Sequence, residues 1–127
     1  MKTDFEKNMH IASDLLAYCH LKGATEYHFD MTAKDGASVF LIKAGPADIP
    51  AKEMERLREM LNMPRQREIE QDYWALMGES EDYCELTLVG MMCDEASVDY
   101  RDRELIIAVK RRDMGKDITS SAPRPIV

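Results

Sequence analysis

The chain has 127 residues, 24 acidic and 17 basic, for a formal net charge of −7. A hydrophobic fraction of 45% and a charged fraction of 32% suit one soluble globular domain. The acidic balance argues against nucleic acid, whose phosphates need lysine and arginine to displace counterions, and against an anionic membrane surface. No apolar run approaches the ~18 residues of a spanning helix, and the opening MKTDFEKNMH lacks a signal-peptide core, so a cytoplasmic domain is expected.

Residues 4–22 read as a helix, with Phe5, Met9, Ala12, Leu16 and Cys19 recurring at spacings of three and four and Leu15 widening the stripe. Gly23 stands where a left-handed cap would end it. Tyr27, Phe29 and Met31 then alternate with polar residues, the period of a half-buried strand. Lys34-Asp35-Gly36 signals a hairpin turn, and Ser38 to Lys43 reads as a more fully buried strand through Val39, Phe40, Leu41 and Ile42.

After the loop from Ala44 to Pro50, a second helix runs from about Ala51 to Leu61 on Met54, Leu57 and Leu61. Pro64 interrupts it, and a third, from about Arg65 to Met77, presents Ile69, Tyr73 and Leu76. Asp82, with Glu85 in the capping-box position, opens a fourth that ends near Cys93. Val98 and Tyr100 begin a strand, Arg101-Asp102 turns it, and Glu104 to Lys110 returns. From Arg111 the chain turns polar, so a domain over 1–112 and a flexible tail over 113–127 are expected. Two hairpins cannot bury an apolar face alone. They should join into one mixed sheet of at least four strands with the helices on one face, a two-layer α/β (α+β) sandwich.

Charge is concentrated between Glu68 and Tyr100, where ten acidic residues occur with no lysine or arginine; the remainder holds 14 acidic and 17 basic residues. This segment reads either as solvated helix faces or as a docking surface for a basic partner or a cation. Cys19, Cys84 and Cys93 form no C-x-x-C, and His10, His20 and His28 have no partner at zinc-site spacing, so no metal is expected. The ten methionines fall mostly on helix stripes, which suits core packing. No nucleophile elbow occurs and no cysteine has a recognisable base nearby in sequence, so nucleophilic catalysis is not expected.

Several phrases in this order resemble the ATP-binding domain of sensor histidine kinases, of the GHKL group. Asp14-Leu15-Leu16-Ala17-Tyr18-Cys19 is similar to the E-L-L-x-N-A of its first helix. Val39 to Pro50 (VFLIKAGPADIP) is similar to V-x-V-x-D-N-G-x-G-I-P, and Glu85 to Met92 to the helix after the G-x-G-L phosphate loop. Cys93 to Arg111 resembles the closing hairpin, so the likeness spans about residues 10–112. It implies the same sandwich fold and a role in signal transduction.

The nucleotide residues that the resemblance implies are mostly replaced. Tyr18 stands at the position of the magnesium-binding asparagine, and a phenol is a poor magnesium ligand. Lys43 stands at that of the adenine-reading aspartate, and lysine cannot accept the amino group's hydrogen bond. Gly45 remains, but Ala47 replaces the next motif glycine, and Tyr83-Cys84-Glu85-Leu86 stands for G-x-G-L. The resemblance therefore implies a degenerate domain that does not bind ATP, needs no cofactor, and acts as a regulatory or protein-binding module. One alternative is a working Mg-ATP domain of a two-component kinase with Asp14 on magnesium and Asp48 on adenine. It would still need a dimerising helical pair, for which residues 1–10 leave no room. Asp48 can equally cap the second helix. A further alternative is a phosphotransfer protein using His10, which reads instead as a solvated surface histidine, between the apolar stripe and the exposed face.

Overall fold

Thr3 opens the first helix. Its hydroxyl accepts from the Glu6 N–H and its own N–H donates to the Glu6 carboxylate, a capping box at the start of α1 (Asp4–Leu21) in a computed structural model that describes residues 3–77 and 86–113. At the other end Gly23 adopts φ +99°, while the Gly23 and Ala24 N–H groups close on the carbonyls of His20 and Cys19. The expected helix is thus present with both its caps.

A hairpin follows, β1 (Glu26–Lys34) and β2 (Ala37–Gly45), whose central turn residues Asp35 and Gly36 both have positive φ, 55° and 76°. That conformation matches the twist of paired strands, and Asp-Gly is a pair that tolerates it. Three helices come next, α2 (Ala51–Leu61), α3 (Arg67–Met77) and α4 (Leu86–Met91), and then the hairpin of β3 (Glu95–Arg101) and β4 (Glu104–Arg112). The cap expected at Asp82 and Glu85 lies outside the described residues. The strands form one sheet in the order β1-β2-β4-β3. Every pair is antiparallel, so the sheet is not mixed: the short turns dictate this for β1-β2 and β3-β4, and the two hairpins join through β2 and β4 in the same sense.

The helices cover one face, α1 over β2 and α2 over β3, with α4 packed on both helices. Gly90 permits that closeness: a Cβ there would come within 2.0 Å of the Met60 carbonyl oxygen of α2. Phe40, Ile42 and Ala44 of β2 and Leu105, Ile107 and Val109 of β4 are buried beneath the helices with Ile11, Leu15, Leu57 and Val89. The continuous apolar runs in β2 and β4 are not buried on both faces. Val39 is 48% exposed and Leu41, Ile106 and Ala108 are half-buried, because no element covers the second face within the described residues.

Two expectations are corrected by one buried group. Among the described side chains of α3 the core-facing ones are Glu70 and Trp74, while Ile69 is 41% exposed and Tyr73 only half-buried; Leu76, also expected on the stripe, lies outside them. Arg111, read from sequence as the start of a polar tail, lies in β4 and is wholly buried. The two meet as an ion pair. Arg111 also donates to the Met92 carbonyl at 3.0 Å, to Asp4 at 3.0 Å and to Asn8 at 3.1 Å. Arg65 and the Trp74 indole N–H complete Glu70, at 2.9 and 3.2 Å. A charge this deep is tolerable only when its partners satisfy it, and here three elements supply them.

Candidate functional site

The residues singled out in α1 lie along one side of the helix, because positions 10, 14 and 18 are each one turn apart. Tyr18 reaches across to α2, where its hydroxyl donates to the Glu53 carboxylate at 2.6 Å. Glu53 also forms an ion pair with Lys22, whose ammonium sits 5.5 Å from the centre of the Tyr18 ring. The three side chains tie the C-terminal end of α1 to the first turn of α2. The Lys22 and Tyr18 hydrogen bonds hold the Glu53 carboxyl below its ordinary range, and burial, reinforced by Glu53, pushes the Tyr18 phenol upward.

One turn earlier Asp14 is buried, 3.7 Å from His10 Nε2. His10 Nε2 and the Tyr73 hydroxyl share a 3.1 Å hydrogen bond, and the imidazole meets the Trp74 ring edge-on with centroids 5.3 Å apart. His10 is therefore not a solvated surface histidine: α3 packs over it, leaving 13% of its side chain exposed. The long-range partners Tyr73 and Trp74 carry no local signal that would have revealed this.

The loop after β2 is held by the second hairpin. Gly45 lies against the β3–β4 turn so closely that a Cβ would come within 2.9 Å of the Arg103 carbonyl oxygen. Ala47 donates to that same carbonyl at 2.8 Å and accepts from the Tyr100 hydroxyl at 2.5 Å. Asp48 neither caps α2 nor turns inward. The helix begins after Pro50 with no side-chain cap, and Asp48, 79% exposed in its side chain, makes a two-armed bond to Arg103 at 3.0 Å. Gly45 thus has a packing reason to be glycine.

Lys43 pairs with His28 and Ile106 on the sheet face opposite the helices. Its neighbour Ala44, buried at 1% exposure, occupies the helix-facing position. The sequence-based site residues therefore separate into three places. Asp14, Tyr18 and His10 share the side of α1 toward α2 and α3; Gly45 and Asp48 lie in the clamped loop; Lys43 faces away.

Two clefts stand out on the described surface. One, of about 490 Å³, opens at the end of the uncovered sheet face between Glu26, His28, Gly45, Arg101 and Glu104. The other, of about 510 Å³, is apolar and lies between α1 and β1 at Leu16, Ala17, Leu21 and Tyr27. Neither lies between Tyr18 and α2. Among the described residues no group of three or more histidines, cysteines or carboxylates could hold a metal ion, and no helix is long and apolar enough to cross a membrane.

The acidic segment is also less uniform in space than in sequence. Glu70 and Asp94 are paired with Arg65, and Glu70 with Arg111, cations that lie outside the segment. Glu68, Asp72, Glu95 and Asp99 are exposed, and Glu79, Glu81, Asp82 and Glu85 lie outside the described residues. Cys19 and Cys93 are free and buried, and burial pushes their thiols up to about 11 and about 12. No family model matches the chain, and no curated protein matches it.

Proposed function

We propose that this chain is a histidine-kinase-ATPase-like domain whose nucleotide site has been replaced by structural contacts, and that it acts in the cytoplasm as a regulatory, protein-binding module of a signalling system. The observation that carries this is the Tyr18–Glu53–Lys22 tie. At the position where the resemblance implies a magnesium-binding asparagine, the side chain is a phenol already committed to a carboxylate of α2. A magnesium ion there would find a tyrosine hydroxyl, and nucleotide phosphates would meet Glu53 and the buried Asp14.

The strand parity adds support. Because Phe40, Ile42 and Ala44 face the helices, V-x-V-x-D-N-G-x-G-I-P fits better one residue later, which brings Ile49-Pro50 onto its closing I-P. Ala44 then takes the place of the adenine-reading aspartate, and a methyl group accepts no hydrogen bond. In that register Asp48 replaces a glycine and is held outward by Arg103. His10 shares its Nε2 with Tyr73, which favours a packing role over phosphotransfer.

Titration with MgATP and MgADP, followed by melting temperature and binding heat, tests the reading. A ligand of the native state must raise apparent stability, so no saturable response is expected up to millimolar nucleotide. A saturable response would overturn the proposal in favour of a working ATP-binding domain.

A further inference from the structure

The uncovered face of the sheet has an order of its own. The strand registers place its residues in rows running β1, β2, β4, β3: His28, Lys43, Ile106, Asp99, then Asp30, Leu41, Ala108, Ser97, then Thr32, Val39, Lys110, Glu95. At the end of the sheet Glu26 lies beside Gly45, and Arg101 beside Glu104. The centre, Val39, Leu41, Ile106 and Ala108, is apolar, and the charges lie around it, on the two outer strands and at Lys43, Lys110 and Glu104 of the inner ones. An apolar middle with a charged rim is the anatomy of a protein interface, not of a solvated sheet.

We infer that this face binds a second copy of the same chain, sheet against sheet, about a two-fold axis running along the strands. The argument is charge complementarity. Such an axis keeps each row at its level and reverses its order, so β1 faces β3 of the other copy and β2 faces β4. Glu26 then opposes Arg101, His28 opposes Asp99, Asp30 opposes Ser97 and Thr32 opposes Glu95. In the middle, Leu41 meets Ala108, the Lys43 stem covers Ile106, and the Lys110 stem covers Val39. No like charges oppose each other in any row.

The other in-plane axis, across the strands, sets Asp30 against Asp30 and Asp99 against Glu95 when it passes through the middle row, and like charges brought together across an interface are strongly disfavoured. Moved by half a row it sets Glu26 against Thr32, an arrangement that the Glu26/Arg101 charge swap below tells apart, because only the axis along the strands brings those two residues together. Stacked sheets cross at about 30°, which shifts the outer strands by about one residue, a distance that the long Glu26 and Arg101 side chains span. The patch is four strands wide, about 19 Å at 4.8 Å per strand, so the association should be weak and concentration-dependent. This inference stands whether or not a nucleotide binds, because it uses the opposite face of the sheet.

Sedimentation of the whole chain from low to high micromolar concentration tests it. A monomer–dimer equilibrium is expected, weakened at least tenfold by Leu41→Glu with little change in melting temperature, since Leu41 is only half-buried. Arg101→Glu and Glu26→Arg should each weaken it, and the double variant Glu26→Arg/Arg101→Glu should restore it, because both swapped pairs re-form across the axis. A chain that stays monomeric throughout, a dimer indifferent to Leu41→Glu, or a double variant no better than the singles would each overturn the inference.

Discussion

Arg111 of β4 and Glu70 of α3 form a wholly buried ion pair beneath α1. Removing Arg111 leaves the wholly buried Glu70 carboxylate to its remaining ion pair with Arg65 and opens a gap in the core. Arg111→Met should therefore cost about 3–5 kcal/mol by urea denaturation. Arg111→Met/Glu70→Gln should cost less than the sum of its single variants, since contacting residues are coupled.

Tyr18→Phe removes one hydrogen bond and leaves Glu53 with Lys22. A loss of about 0.5–1.5 kcal/mol is expected by the same measurement.

Gly90→Ala places a methyl group against the α2 backbone, which is no flexible side chain and cannot swing aside. Overpacking of this kind costs about 1–3 kcal/mol, so a clear fall in melting temperature is expected.

The Asp94 carboxyl sits below its ordinary value: burial works to raise it, but the Arg112 N–H at 2.5 Å and the Arg65 guanidinium outweigh burial. A carboxylate with a depressed folded pKa stabilises the fold above its ordinary value, and that contribution is lost as pH falls through the folded one. Melting temperature should therefore drop as pH falls below about 4. Asp94→Asn should lower it at neutral pH and flatten that acid limb. An unchanged limb would remove Asp94 as its source.

Thiols raised by burial are poor nucleophiles. In a Cys84→Ser background, Cys19 and Cys93 should resist a disulfide reagent at pH 8 until the chain is unfolded.

The elements with clean periods and clear punctuation were legible in the sequence: α1 with Gly23, the Asp35-Gly36 hairpin, and α2 over residues 51–61. The phase of α3 was not, because hydrophobic periodicity skips charged residues and the buried position there is Glu70. The same blindness turned Arg111 into the start of a tail. Lys43 is a candidate only through the resemblance, whose register is not fixed locally because the Val39–Ile42 run is apolar on both parities. Only pairing with β4 fixes which parity faces the helices. Glu53, which defines the candidate site with Tyr18, lies 35 residues away in sequence, and no local pattern connects them.

The Arg111 guanidinium also holds Asp4, 107 positions earlier in the chain. The first turn of the first helix and the end of the last strand are thus fastened at one point, like a clasp closing a loop. Neither end of the described fold can peel away without exposing that charge, so the domain should melt in one step from both ends at once. A circular permutant bridging residues 3 and 113 by a short linker should keep the fold, its new termini opened at the Asp35-Gly36 turn.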